Sequence, residues 1–211
     1  MSGIRPLTLH TEDGLTLVAE IAAAQPATAT PRAAVVLCHP HPQYGGTMRS
    51  IVISALFQAL PNLGYPCIRF NFRGVEGSGG TYADGRHEPL DIIAAIDAIV
   101  IEVPQTPIVL AAWSFGADMA LQVTDERVAG WVAIAPPLRF RSTFPAADDA
   151  RPKHMILAEH DEVRAAIDIE AEIATWSNTT STLVAGASHF FVGRTDRVTA
   201  QTQVGIDRAV G

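Results

Sequence analysis

The stretch that most constrains this chain is Ala112-Trp113-Ser114-Phe115-Gly116. An apolar run, Ile108 to Ala111, leads into it, and a helix-compatible run, Ala117 to Val123, leads out. A small residue two before a serine and a glycine two after it, set between strand and helix, describe a very sharp turn. Both flanking positions must be small because the strand and helix backbones crowd there. Ala112 and Gly116 meet that demand, although glycine is commoner at the first position. The serine is forced into a strained conformation, with its hydroxyl raised above the sheet. A chain carrying this turn is committed to strands that feed directly into packed helices.

The remaining pattern agrees. Leu7 to His10 and Leu15 to Ile21 flank Glu12-Asp13-Gly14, a hairpin signal. Gln25 to Arg32 is an Ala/Thr/Pro connection without apolar periodicity and is expected to be an exposed loop. Strands are then expected at Ala33 to Cys38, Cys67 to Phe72, Ile108 to Ala112, Gly130 to Ala135, His154 to Ala158 and Ser181 to Val184. Helices are expected at Ser50 to Leu60, with Ile51, Ala55, Leu56 and Ala59 on one side, and at Pro89 to Val100, Phe115 to Val123, Val163 to Trp176 and after Phe191. Strand alternating with helix predicts an α/β fold with a mainly parallel central sheet and helices on both faces. Continuous apolar strands fit burial on both sides. At 211 residues without repeats or linkers, the chain reads as one domain, 1–211.

Composition narrows the class of function. Apolar residues make up 48% and charged residues 18%, which fits a compact globule and not a disordered segment. A formal net charge of −7 with no basic cluster argues against nucleic acid or an anionic membrane as partner. No apolar run is long enough to span a bilayer, and Met1 to Leu9 has no leader pattern, so a cytoplasmic protein is expected. Cys38 and Cys67 fall at opposite ends of neighbouring strands and are expected as buried free thiols.

Ligands of such sheets bind beyond the carboxyl ends of the strands, and the reactive residue types gather there. A serine hydroxyl needs a base to become a nucleophile, and the base needs a carboxylate to fix its tautomer. Ser114 at the elbow is the candidate nucleophile. His189, on the loop after the last strand, is the candidate base, and Asp161, just past the preceding strand, the orienting acid. The rival carboxylates are Glu159, Glu162, Asp148 and Asp149; His160 lies beside Asp161. His10, His87 and His154 fall at the wrong ends of their elements. An oxyanion needs preorganised donors. The backbone N–H of Phe115 is one candidate; His41, or else Gln43, in His39-Pro40-His41-Pro42-Gln43 is the other, because proline has no N–H.

Two other patterns carry less. His39-x-His41 could offer two metal ligands on one face, but no third ligand pattern accompanies it. Gly74 to Gly80 has the glycine content of a phosphate loop without the Gly-Lys-Ser/Thr ending, so a tight turn is expected. Trp113 and Phe190 suit an acyl pocket or simple packing equally well.

The chain resembles the α/β-hydrolase superfamily, and within it a group of small bacterial predicted hydrolases. The resemblance rests on His39-Pro40-His41-Pro42 with Gly45-Gly46-Thr47-Met48, Asn71-Phe72-Arg73-Gly74-Val75 with Gly77-Ser78, the elbow at Ser114, Glu159-His160-Asp161, and Ser188-His189-Phe190-Phe191. It implies the α/β-hydrolase fold with antiparallel N-terminal strands, a Ser114-Asp161-His189 triad, and an oxyanion hole from the amides of Phe115 and His41. The segment Pro136 to about Arg151, where relatives insert a lid, is short, so no large lid is expected. The expected activity is a serine carboxylesterase for small or medium acyl esters, needing no metal or organic cofactor. The alternatives are a thioesterase, lactone hydrolase or acyl-peptide hydrolase on the same residues, and a non-catalytic hydrolase-fold binding protein. A small-molecule ester is the expected partner, and a homodimer the expected assembly.

Overall fold

A computed structural model describes residues 3–26 and 30–211. Met1 and Ser2, in the segment read for a leader, and Ala27 to Ala29, inside the expected Gln25–Arg32 connection, lie outside the described residues; Gln25, Pro26, Thr30 and Arg32 are exposed. Among the described residues, eight strands form one sheet in the order β1-β2-β4-β3-β5-β6-β7-β8. They are β1 Ile4–His10, β2 Thr16–Ala22, β3 Ala34–Cys38, β4 Cys67–Phe70, β5 Ile108–Trp113, β6 Val128–Ile134, β7 Lys153–His160 and β8 Thr179–Ser188. The β1–β2 and β2–β4 pairs are antiparallel, and the remaining neighbours are parallel. This is the expected α/β-hydrolase architecture. Between β6 and β7 the only helical segment among the described residues is a 3₁₀ turn at Pro145–Ala147, so no lid is present.

Among the described residues, five α-helices cover the sheet: α1 Ile51–Ala59, α2 Glu88–Glu102, α3 Phe115–Ala120, α4 Ala166–Ile173 and α5 Thr195–Val210. The central strands are buried on both faces, and their alternation splits the core in two. Val36, Leu110 and Ala112 pack with α2, α3 and α4, whereas Val35, Leu37, Val109 and Trp113 pack with α1 and α5. α5 comes so close to β6 that a Cβ on Gly205 would lie 2.6 Å from Val132 Cγ2. Cys38 and Cys67 are buried free thiols; β3 and β4 pair Val35 with Cys67, three residues from Cys38.

Several expected boundaries shift, each for a tertiary reason. β4 ends at Phe70 because the Phe72 N–H donates to His39 Nε2 at 3.0 Å. α3 stops at Ala120, short of Val123, and the Trp131 indole donates to the carbonyls of Ala120 (3.1 Å) and Val123 (3.2 Å). α4 starts at Ala166, not Val163, because the Val163 and Arg164 amides donate to Asp161 Oδ1 at 2.8 and 3.2 Å. In α1 the buried face is Val52, Ile53, Leu56 and Phe57, with Ile51 exposed; the expected face was one position out of phase. β8 is ten residues long and runs to Ser188, so His189 follows the strand directly, without the expected intervening loop.

Candidate active site

The site is assembled from the carboxyl ends of β3, β5, β7 and β8. At the end of β5, Ser114 has φ 55° and ψ −124°, a conformation that L-residues rarely adopt. The turn is held by Ser114 N–H donating to Ile134 O (2.8 Å) and Ala117 N–H donating to Ser114 O (2.8 Å). A Cβ on Gly116 would sit 2.5 Å from His39 O and 2.6 Å from Cys38 O, which is why that position must be glycine. Ala112 is fully buried and tolerated.

The β7–β8 register delivers the next two residues. Ala158 pairs with Val184 but His160 pairs with Ser188, so β8 bulges by two residues before both strands end side by side. Asp161 and His189 are the residues immediately beyond that final pair. His189 Nδ1 lies 2.9 and 3.0 Å from the Asp161 carboxylate oxygens, and His189 Nε2 lies 2.8 Å from Ser114 Oγ. All three residues sit almost out of solvent, with the His189 and Asp161 side chains each 6% exposed. Trp113 Nε1–H donates to His189 O at 3.2 Å and steadies the loop from below.

Three of the four rival carboxylates accept from groups other than the His189 ring. Glu159 accepts from Gly186 N–H (2.7 Å) within the bulge, and Glu162 accepts from His189 N–H (3.1 Å). Asp149 pairs with Arg151 at 2.6 Å. His160 points away, 70% exposed.

The loop after β3 is built around two imidazoles with fixed tautomers. His39 Nε2 accepts from Phe72 N–H, so Nδ1 carries the proton and donates to Pro40 O at 2.6 Å. Burial holds His39 down at about 4, hence neutral. His41 Nδ1 accepts from Gln43 N–H at 3.2 Å, leaving Nε2–H to donate to the Tyr82 hydroxyl at 3.1 Å. Both rings therefore spend both nitrogens on protein partners, which leaves the pair no lone pair for a metal. The Gln43 amide is also spent, whereas the His41 and Phe115 amides have no protein acceptor among the described residues.

Asp118 was not singled out in the sequence. It is fully buried on α3, one turn past the serine, and accepts from the N–H groups of Leu138 (2.9 Å), Arg139 (2.9 Å) and Phe140 (3.1 Å). Burial pushes its carboxyl up to about 6, against the pull of those donors. Arg164 Nη1 adds bonds to Pro137 O (2.9 Å) and Leu138 O (3.2 Å). Where a lid could have been inserted, the chain instead forms a pinned wall. That wall, with Pro40, His41, Trp113 and Phe190, encloses a mostly apolar cleft of about 270 Å³ with Ser114 and His189 on its surface. The glycine-rich loop after β4 is a turn clamped to β2: Gly79 N–H donates to Thr16 O (2.8 Å) and Val18 N–H to Ser78 Oγ (3.0 Å). Among the described residues, no helix is long and apolar enough to cross a membrane.

Comparison with known proteins adds a family. The description of the alpha/beta hydrolase family matches residues 35–204. The uncharacterized protein RP471 of Rickettsia prowazekii is 32% identical over 182 residues, 79% of this chain and 76% of that one. An alpha-beta serine hydrolase homologue from Coxiella burnetii is 31% identical, with 95% of each chain covered and a TM-score of 0.85. XC6422 from Xanthomonas campestris, described as an α/β serine hydrolase without lid, is 27% identical over 97% of this chain and 94% of its own, with a TM-score of 0.85.

Proposed function

This chain belongs to the alpha/beta hydrolase family, and from that premise we propose a serine carboxylesterase acting on small or medium acyl esters through Ser114, His189 and Asp161. The observation that carries the reading is the continuous Ser114–His189–Asp161 hydrogen-bond chain, 2.8 and 2.9 Å, opening onto an apolar cleft. His189 Nε2 takes the Ser114 proton as Oγ attacks the ester carbonyl. Asp161 accepts from Nδ1–H, holds the tautomer and stabilises the imidazolium. The oxyanion is received by the N–H groups of Phe115 and His41; the engagement of the Gln43 amide supports His41 over Gln43. His189 then protonates the departing alcohol and activates water, which releases the acyl group from Ser114. The small cleft and the absence of a lid favour short, accessible esters.

A fluorophosphonate probe tests this. It is expected to label the wild type and not Ser114→Ala, and the substitution is expected to lower p-nitrophenyl ester turnover by roughly ten-thousand-fold or more. A panel of p-nitrophenyl esters, acyl-CoAs, lactones and amides ranks the ester reading against the others that the same residues can support. A wild type that is neither labelled nor active on any of them overturns it.

A further inference from the structure

The cleft beside Ser114 is apolar on most sides, yet a guanidinium stands at its wall. Arg139 lines the cleft with Phe140, Tyr44 and Phe190. Its side chain is exposed, with Cζ 5.4 Å from the Phe140 ring centre. Among the described residues, it has neither an acidic partner nor a hydrogen-bond acceptor. Arg127, Arg151 and Arg164 on neighbouring segments each hold a carboxylate, at 2.7, 2.6 and 2.6 Å. Arg141 and Arg197 hold none among the described residues, and what sets Arg139 apart from them is its place in the wall of the cleft. The Arg139 backbone is pinned by Asp118 and by the Arg164 bonds on either side of Leu138, so the Cα is fixed while the side chain is unspent. Its charge also reaches the β3 loop: after burial, it is the next cause that pushes His41 below the ordinary imidazole value.

A planar guanidinium recognises a carboxylate through two parallel hydrogen bonds, and apolar walls strengthen an attraction that open water would screen. The position also runs against the molecule's own field, since a net charge of −7 repels anions elsewhere on the surface. We propose that Arg139 is a specificity-determining residue and that the preferred substrates are esters carrying a second, anionic group, a carboxylate on the acyl or the alcohol side. The proposal rests on the serine esterase reading and names the substrate class of that same site.

Matched ester pairs test it, with kcat/KM read for each. On the acyl side the pair is the mono-p-nitrophenyl ester of glutaric acid against p-nitrophenyl pentanoate. On the alcohol side it is 4-acetoxybenzoate against its methyl ester. The wild type is expected to favour the carboxylate-bearing member of at least one pair by about tenfold, less at high salt. Arg139→Gln is expected to bring that ratio near unity, and Arg139→Glu to bring it below unity. Arg197→Gln, which removes an exposed charge on α5 outside the cleft, should leave the ratio in place. Ratios near unity in the wild type, or equal losses on both members in Arg139→Gln, overturn the specificity role while ester turnover keeps the hydrolase reading standing. A wild type inert on all four esters yet labelled by the fluorophosphonate overturns this proposal alone; one that is neither labelled nor active on the wider panel overturns the hydrolase reading and this proposal with it.

Discussion

The serine at the elbow is where a single residue's backbone is most visibly constrained. Ser114 holds φ at 55° because the strand must become a helix within one residue, and its Cβ makes that conformation costly. Alanine and glycine at this position both remove the hydroxyl and its bond to His189, so they differ only in the Cβ and in the freedom of the unfolded chain. Relief of about 1–3 kcal/mol of strain, set against about 0.5–1 kcal/mol of added glycine entropy, leaves Ser114→Gly about 1 kcal/mol more stable than Ser114→Ala. Thermal unfolding should separate them by about 3 °C, with both inactive. Equal midpoints, or a lower one for glycine, would mean that the turn stores no strain at the serine. The elbow was legible in the sequence because the constraint is local: Gly116 is needed within two residues of the serine it serves.

At the scale of elements, strand and helix order was legible and element ends were not. Order follows from burial, since strands such as Ala34–Cys38 are covered on both faces and read as unbroken apolar runs. Ends are set by partners distant in sequence. His39 takes the amide that would have extended β4, and Asp161 takes two amides that would have begun α4 earlier. The phase of α1 misled because its sequence is apolar almost all round, so periodicity could not choose between Ile51 and Val52. Asp118 escaped notice because its partners, Leu138 to Phe140, lie some twenty residues along in a segment without periodicity. Its importance is testable. Asp118→Asn points an amide donor at N–H groups that need acceptors, at a cost of about 1–3 kcal/mol. The loosened wall should raise KM for p-nitrophenyl esters about three- to tenfold, a larger change than in kcat. A variant that matches the wild type in urea unfolding and in KM would show that the wall stands without Asp118.

Across the whole molecule, one charged group ties the antiparallel edge of the sheet to the site-bearing half. Arg73, in the loop after β4, is 3% exposed and contacts both Asp91 oxygens through its side chain and amide, while Nη1 and Nη2 donate to Asp13 in the β1–β2 hairpin at 2.8 and 3.2 Å. Three residues from separate elements meet here, and no local pattern announces them. Asp91 is fully buried, and burial pushes its carboxyl up to about 6 even though Arg73 pulls it down. Arg73→Met would leave that carboxylate buried with its partner gone, a loss on the order of 3–5 kcal/mol when the group must ionise. The sign of the pH dependence follows from the raised value. A folded-state carboxyl above its unfolded value of 3.8 favours folding at low pH, and that advantage is lost as pH rises through about 6. Without Arg73 the folded value climbs further, so the variant loses stability over a wider span of rising pH than the wild type does. Urea unfolding at pH 5 and pH 8 should therefore show a small deficit for Arg73→Met at the lower pH and most of the loss at the higher. A deficit of the same size at both would place its origin in packing and hydrogen bonds, not in the charge of Asp91.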